Sequence, residues 1–203
     1  ATVGGGNENE AQGEDSTVGG GMMNLAEARH STVGGGQNNQ ASGDNATVGG
    51  GDSNLARSAD STVAGGVDNE AGGESSAIGG GYSNYVSGSY ATVAGGQGNH
   101  VTATHVAIGG GGYNVATAPH ATIPGGRSNE AAGATSFAAG RQAKANNDGC
   151  FVWGDSTDAP VECNADNAWV ARASGGVYFY TSQDLSSGAY LPANGSAWQT
   201  LPG

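Results

Sequence analysis

Three histidines, His30, His105 and His120, occupy the same place in a 15-residue period, the last two in consecutive copies. Imidazole is a common metal ligand and a proton carrier near neutral pH. The first chemistry to weigh is therefore a metal bound by His105 and His120 across chains. Histidines exposed on a corner account for the same pattern, and no metal site is expected. Nine asparagines also keep register: Asn9, Asn24, Asn39, Asn54, Asn69, Asn84, Asn99, Asn114 and Asn129. Neutral amides bind hard cations weakly without carboxylates beside them, so these read as structural. The Gly runs lack the Lys-Ser/Thr of a phosphate loop and do not open a helix. A Ca²⁺-binding β-roll needs Asp at a fixed place in each repeat, whereas the acids here wander. The six-residue acyltransferase period does not divide 15 evenly, and no His sits in a matching motif. Paired carboxylates in fixed register, which glycan hydrolysis needs, are missing. The expectation is a non-enzyme with no catalytic residue and no cofactor.

What positions these residues is the repeat itself. Thr2-Val3-Gly4-Gly5-Gly6, followed by Asn9, returns as Thr17-Val18-Gly19-Gly20-Gly21 with Asn24 and so on through nine copies to Thr135, without insertion or deletion. A period this strict marks a solenoid. Position 3 is always β-branched: Val3, Val18, Val33, Val48, Val63, Ile78, Val93, Ile108 and Ile123. Position 11 is Ala or Val, and position 13 is Gly, Ala or Ser. Positions 1 and 3, and again 11 and 13, have the two-residue spacing of side chains on one face of a strand. Each copy thus reads as two short strands, with position 3 as core. The Gly run makes one corner, because Gly reaches positive φ without steric cost. Position 4 accepts Ala64, Ala94 and Pro124, so the strict demand falls on positions 5 and 6. Asn at position 9 is read as a turn residue in the left-handed region or as a side-chain ladder along the axis.

Composition narrows the class further. Gly supplies 40 of 203 residues and Pro only 5, in a period of 15, which excludes collagen. Fixed aliphatic positions exclude disorder. A net charge of −12, from 18 acids and 6 bases, argues against nucleic acid and against anionic lipid as partners. No transmembrane span or signal peptide is seen, and the start inside a repeat at Ala1 reads as a fragment of something longer. Cys150 and Cys163 can pair within a chain, pair between chains, or stay free thiols; a disulfide would fit an extracellular compartment.

A coil of this kind buries one Val and two small residues. That is thin against the entropy of ordering 15 residues, at roughly 1.5 kcal/mol each. Close packing of chains in a closed cyclic oligomer would supply the missing burial. Ligand contact falls to the variable positions, where Met22, Met23, Leu25, Tyr82, Tyr85, Tyr90 and Tyr113 are the exposed apolar candidates. Thr2, Thr17, Thr32, Thr47, Thr62, Thr92 and Thr122 share position 2 and point away from the core, a rank interrupted by Ala77 and Ala107. A flat Thr rank is similar to that of ice-binding solenoids, which use two parallel ranks.

The pattern changes after residue 135. Ser136-Phe137-Ala138-Ala139-Gly140 to Cys150-Phe151-Val152-Trp153-Gly154 is a 14-residue step, read as a last coil whose core fills with Phe137, Phe151 and Trp153. Residues 155–168 read as an acidic loop. Trp169–Ala173 and Val177–Thr181 read as a β-hairpin about a turn at 174–176, and residues 182–203 as an extended tail packed on neighbouring chains. The divisions are 1–135, 136–154 and 155–203.

The Thr-Val-Gly-Gly-Gly-x-x-Asn coils resemble a Gly-rich variant of the head repeats of trimeric autotransporter adhesins of the YadA-like type, and residues 136–140 with their sequel match that family's 14-residue form. The resemblance implies a left-handed parallel β-roll or β-solenoid, a homotrimer, and adhesion to a host or environmental surface protein or glycan at the bacterial cell surface. Ser136 to Trp153, Ala171 to Val177 and Ser196-Ala197-Trp198 are similar to the region before an endosialidase-type intramolecular chaperone. Such regions also occur in phage tail fibres, so a virion fibre shaft is the alternative.

Overall fold

The computed structural model describes residues 1–201 as an all-β parallel solenoid with a small antiparallel sheet at its C-terminal end. No helix among these residues is long and apolar enough to cross a membrane. Each regular coil contributes two strands of two residues, such as Thr2–Val3 and Glu10–Ala11. Because no copy gains or loses a residue, each strand lies over its own counterpart one coil on. Thr2 pairs with Thr17 and Val3 with Val18; Glu10 pairs with Leu25 and Ala11 with Ala26. The first strands build a 13-stranded sheet and the second an 11-stranded sheet. A third ladder of single bridges runs through position 7, from Asn7↔Met22 to Gly112↔Arg127.

The core is a file of identical rungs. Val18, Val33, Val48, Val63, Ile78, Val93, Ile108 and Ile123 are essentially inaccessible, as are the Ala and Val residues of position 11 from Ala26 onward. Val3 departs from this. It is 44% exposed, because its coil is covered from one side only. Ser at position 1 is buried with its hydroxyl satisfied locally: Ser31 and Ser61 donate to the carbonyls of Ala28 and Ser58 at 2.6 Å.

Asparagine is part of the core. Asn24 to Asn129 are buried at 0–1% exposure, whereas Asn9, on the open coil, is only partly covered. They do form a ladder. Asn69 Oδ1 accepts from both the backbone N–H and the Nδ2 of Asn84, at 3.0 Å each. Asn84 Nδ2 also donates to Gly80 O and to Gly96 O of the next coil. The left-handed turn expected at Asn is one residue earlier. Position 8 (Glu8, Met23, Asn38, Tyr113) and position 15 (Asp15, His30, Asn45, Tyr90) have φ of 53–58°. At these corners the backbone turns its N–H backwards: Met23 N–H donates to Asn7 O and His30 N–H to Glu14 O. The strand amides of Thr2, Gly4, Asn7, Glu10 and Gln12 all donate forward to the next coil. The Asn side chains are therefore free to serve the interior rather than the turn.

The C-terminal part differs from the sequence reading in three ways. The solenoid does not end near residue 154. Val161–Glu162 adds to the second sheet beside Ala143–Ala145, so the expected acidic loop carries a further coil. Trp169–Arg172 does not pair into a hairpin with the strand that follows; it lies parallel to Phe151–Gly154, with Phe151 over Trp169 and Val152 over Val170. The pattern of alternate apolar residues is the same in both arrangements, and continuing an existing parallel edge satisfies its backbone groups. Gly176–Tyr180 pairs instead with Gly188–Pro192, which pairs with Gln199–Thr200, so residues expected as an extended tail form a three-stranded sheet.

Cys150 and Cys163 are joined, and both are buried. The bond closes the irregular coil, where the strict repeat no longer holds the chain. Closing a loop of this size is worth about 3 kcal/mol by the chain-entropy account. Replacing both cysteines by Ala should lower stability by about that amount. The loss should be concentrated in residues 143–172, as hydrogen exchange under native conditions would report.

Candidate functional site

The candidate contact residues leave the coil at different corners. Met22 and Tyr82 stand at position 7, Met23 and Tyr113 at position 8, Leu25 and Tyr85 at position 10, and Tyr90 at position 15. Met23, Tyr82, Tyr90 and Tyr113 are 46–52% exposed. Met22, Leu25 and Tyr85 are only half-exposed, because in-register stacking covers one side of each; Tyr85 packs on His100 with ring centroids 4.9 Å apart. The structure does not gather all seven into one site. Met23 and Leu25 share a shallow notch with Glu8 and Glu10. Tyr113 lines another with Gln97 and Arg127 over a floor of Gly96, Gly111 and Gly112. There Gln97 Nε2 donates to the Tyr113 hydroxyl at 2.9 Å, and the Arg127 guanidinium lies 5.9 Å from the ring centroid.

The strongest apolar surface is elsewhere. Phe137, Phe151 and Trp153, expected as core, face outward; Ala138, Val152 and Gly154 point inward instead. Strand alternation allows only one set inside, and a coil this narrow takes the small one. Thr122 pairs with Phe137, Phe137 with Phe151, and Phe151 with Trp169, so the outward Thr column becomes an aromatic column. Its rings stack, at 4.4 Å between Phe137 and Phe151 and 6.3 Å between Phe151 and Trp169. Trp153, Trp169 and Tyr178 of the terminal sheet border a groove of about 320 Å³ beside them. Trp169 is 60% exposed. Sequence reading missed this surface, although the register from Thr122 carried the signal, since residues over an outward Thr must also face outward.

A polar clasp fixes the end of the solenoid. Arg172 Nε donates to Asp155 Oδ1 at 2.8 Å, and its terminal nitrogens donate to the carbonyls of Ala159, Pro160 and Thr157. The other Asp155 oxygen accepts from the Ser174 N–H. Hydrogen bonds from Ser174, then Thr157 and the Arg172 guanidinium, hold the Asp155 carboxyl far below the usual carboxylate range. In the neighbouring loop, Ser186 and Ser182 lower Asp184 to about 2. A carboxylate with a depressed folded-state pKa contributes stability at every pH above its unfolded value, and that contribution is lost as pH falls. The clasp should therefore be intact at neutral pH and weaken only below about pH 4. Arg172→Ala should loosen residues 155–174 and leave the regular coils unchanged, which Trp fluorescence against pH and hydrogen exchange would separate.

No protein-family model matches this chain, and no curated protein matches it. Its surface chemistry must be read from its own residues. Among the described residues no three or more His, Cys, Asp or Glu side chains converge as a metal-holding group. His105 and His120 do stack, with centroids 5.0 Å apart, while His30 lies 3.7 Å from an Asp15 carboxylate oxygen. The Thr column is in register from Thr2 to Thr62, but the neighbouring outward column, position 4, is mostly bare glycine.

Proposed function

We propose that the chain is a non-enzymatic module of a trimeric bacterial surface adhesin, with a left-handed coil and with attachment through its variable exposed positions. The observation that carries this reading is the aromatic column of Phe137, Phe151 and Trp169 with Trp153 alongside. It is an apolar patch continuous with a flat face of small residues, on a rod whose own interior is too narrow to take the rings. Apolar patches of this kind on soluble proteins mark contacts with other chains. Three copies joined along that face would bury the rings and leave positions 7, 8 and 15 to vary for a surface protein or glycan. The joined cysteines fit an extracellular setting.

Solution mass tests the assembly. Light scattering should give three times the chain mass of 19.7 kDa. Trp169→Glu should shift the population towards monomer without unfolding the coils. A parent chain that runs as a monomer would sink the trimer. A second reading, ice binding, draws on the in-register Thr rank from Thr2 to Thr62. It requires thermal hysteresis that disappears in Thr32→Leu with Thr47→Leu; the bare neighbouring column disfavours it.

A further inference from the structure

His105 and His120 stand on consecutive coils at position 15, each in the left-handed region with φ of 58° and 59°. Equal backbone geometry sends the two side chains out in the same direction. Each corner is pinned to the preceding coil, His105 N–H to Ser89 O at 3.0 Å and His120 N–H to Thr104 O at 3.2 Å. Both rings are solvent-exposed and nearly parallel, 20° apart, with centroids separated by 5.0 Å. Tyr90 stacks on the far side of His105 at 5.2 Å and limits its rotamers. A divalent ion held by two imidazole nitrogens at about 2.0–2.1 Å each spans at most about 4.2 Å. Stacked rings hold their lone pairs side by side, so binding requires the two imidazoles to turn about their side-chain torsions until one nitrogen of each converges, an adjustment that leaves the coil untouched. The surrounding surface belongs to a chain of net charge −12, which concentrates cations.

We propose that His105 and His120 form a two-imidazole site for a divalent transition ion of the Zn²⁺, Ni²⁺ or Cu²⁺ class, with water completing its coordination. The site is independent of the adhesive reading. Two other histidines provide internal controls. His30 is flanked by Asp15 and Asn45, and His100 packs on Tyr85, so neither has a second imidazole beside it. Isothermal titration of the intact chain with Zn²⁺ alone, in chelator-free buffer, should give one ion per chain at micromolar affinity. His105→Asn or His120→Asn should weaken it at least tenfold, while His30→Asn and His100→Asn should leave it unchanged. Asn is chosen because Asn45 already occupies this corner with φ of 57°, so the fold is kept. Binding that survives both His105→Asn and His120→Asn overturns the site, as does a parent chain that binds no more tightly than the double variant. Fewer than one ion per chain would also overturn it, since that places the ion between chains.

Discussion

Gly66→Ala should collapse the stability of the solenoid, whereas Gly65→Ala, one residue earlier, should leave it within about 1 kcal/mol of the parent. Gly66 has φ of 94°, which an L side chain rarely adopts. A Cβ placed there would overlap the Gly81 carbonyl oxygen and come within 2.6 Å of Asn69 Nδ2 and 2.7 Å of Gly81 N. None of these can move alone, because the same carbonyl accepts the Val67 N–H and the Asn69 side chain. At Gly65 the nearest atom to a new Cβ is Gly50 O at 3.8 Å, an ordinary contact. Strain of about 1–2 kcal/mol for the wrong-handed backbone adds to about 1–3 kcal/mol for overpacking. The cost at Gly66 is therefore about 4 kcal/mol, enough to lower Tm by about 10 °C. Parallel thermal scans of the two variants decide the matter, and equal losses would show that the demand is not steric.

The second large effect is expected at Asn84→Ala. Its side chain donates to Asn69 Oδ1, Gly80 O and Gly96 O and accepts from the Asn99 N–H and Nδ2, all at 2.9–3.1 Å in the buried interior. Ala removes these and leaves the Asn99 N–H without its acceptor in a dry site. With a buried amide orphaned at about 1–3 kcal/mol and lost bonds at about 1 kcal/mol each, the cost is about 4 kcal/mol. Asn9→Ala should cost less than half as much, since Asn9, in the first described coil, is itself only partly covered and water can enter where its side chain is removed. Urea unfolding of the two variants gives the comparison, and a loss at Asn9 as large as at Asn84 would remove the ladder from the account of stability.

Much of this fold is legible in the residues because the repeat never slips. A β-branched residue every 15 positions has one place to go, and Val18 to Ile123 go there. Asn at position 9 suits a ladder and a turn equally by residue type, and composition does not divide the two. The left-handed corners instead carry Met23, Tyr113 or Tyr90 as readily as Asn38, because a backward hydrogen bond to the coil before fixes the corner whatever the side chain. Local propensity is a weak guide where the neighbouring coil sets the backbone. The end of the chain was harder still. Phe137, Phe151 and Trp153 look like core by type, and Trp169–Ala173 looks like half of a hairpin by alternation. Both readings fail for one reason: a parallel edge was already in place, and its register decided which side each residue faced. Periodicity marks the candidate contacts as variable and outward, but their scatter over separate corners is a property of the wound coil that no single repeat displays.

The direction of the backbone hydrogen bonds has a consequence for the rod as a whole. In a regular coil the amides at positions 2, 4, 7, 10 and 12 donate towards the C-terminal side, while those at positions 8 and 15 donate the other way, position 9 donates back to the Asn side chain of the coil before, and the parallel register sends the amides at positions 3 and 11 backward too. Donors therefore point both ways along the axis, and the peptide dipoles, about 3.5 D each, largely cancel. The rod is left with only a small net dipole, unlike an α-helix of the same length. Each end of the regular stack is instead a parallel edge that presents N–H and C=O groups in fixed register, and any further coil added to it must arrive in a single orientation.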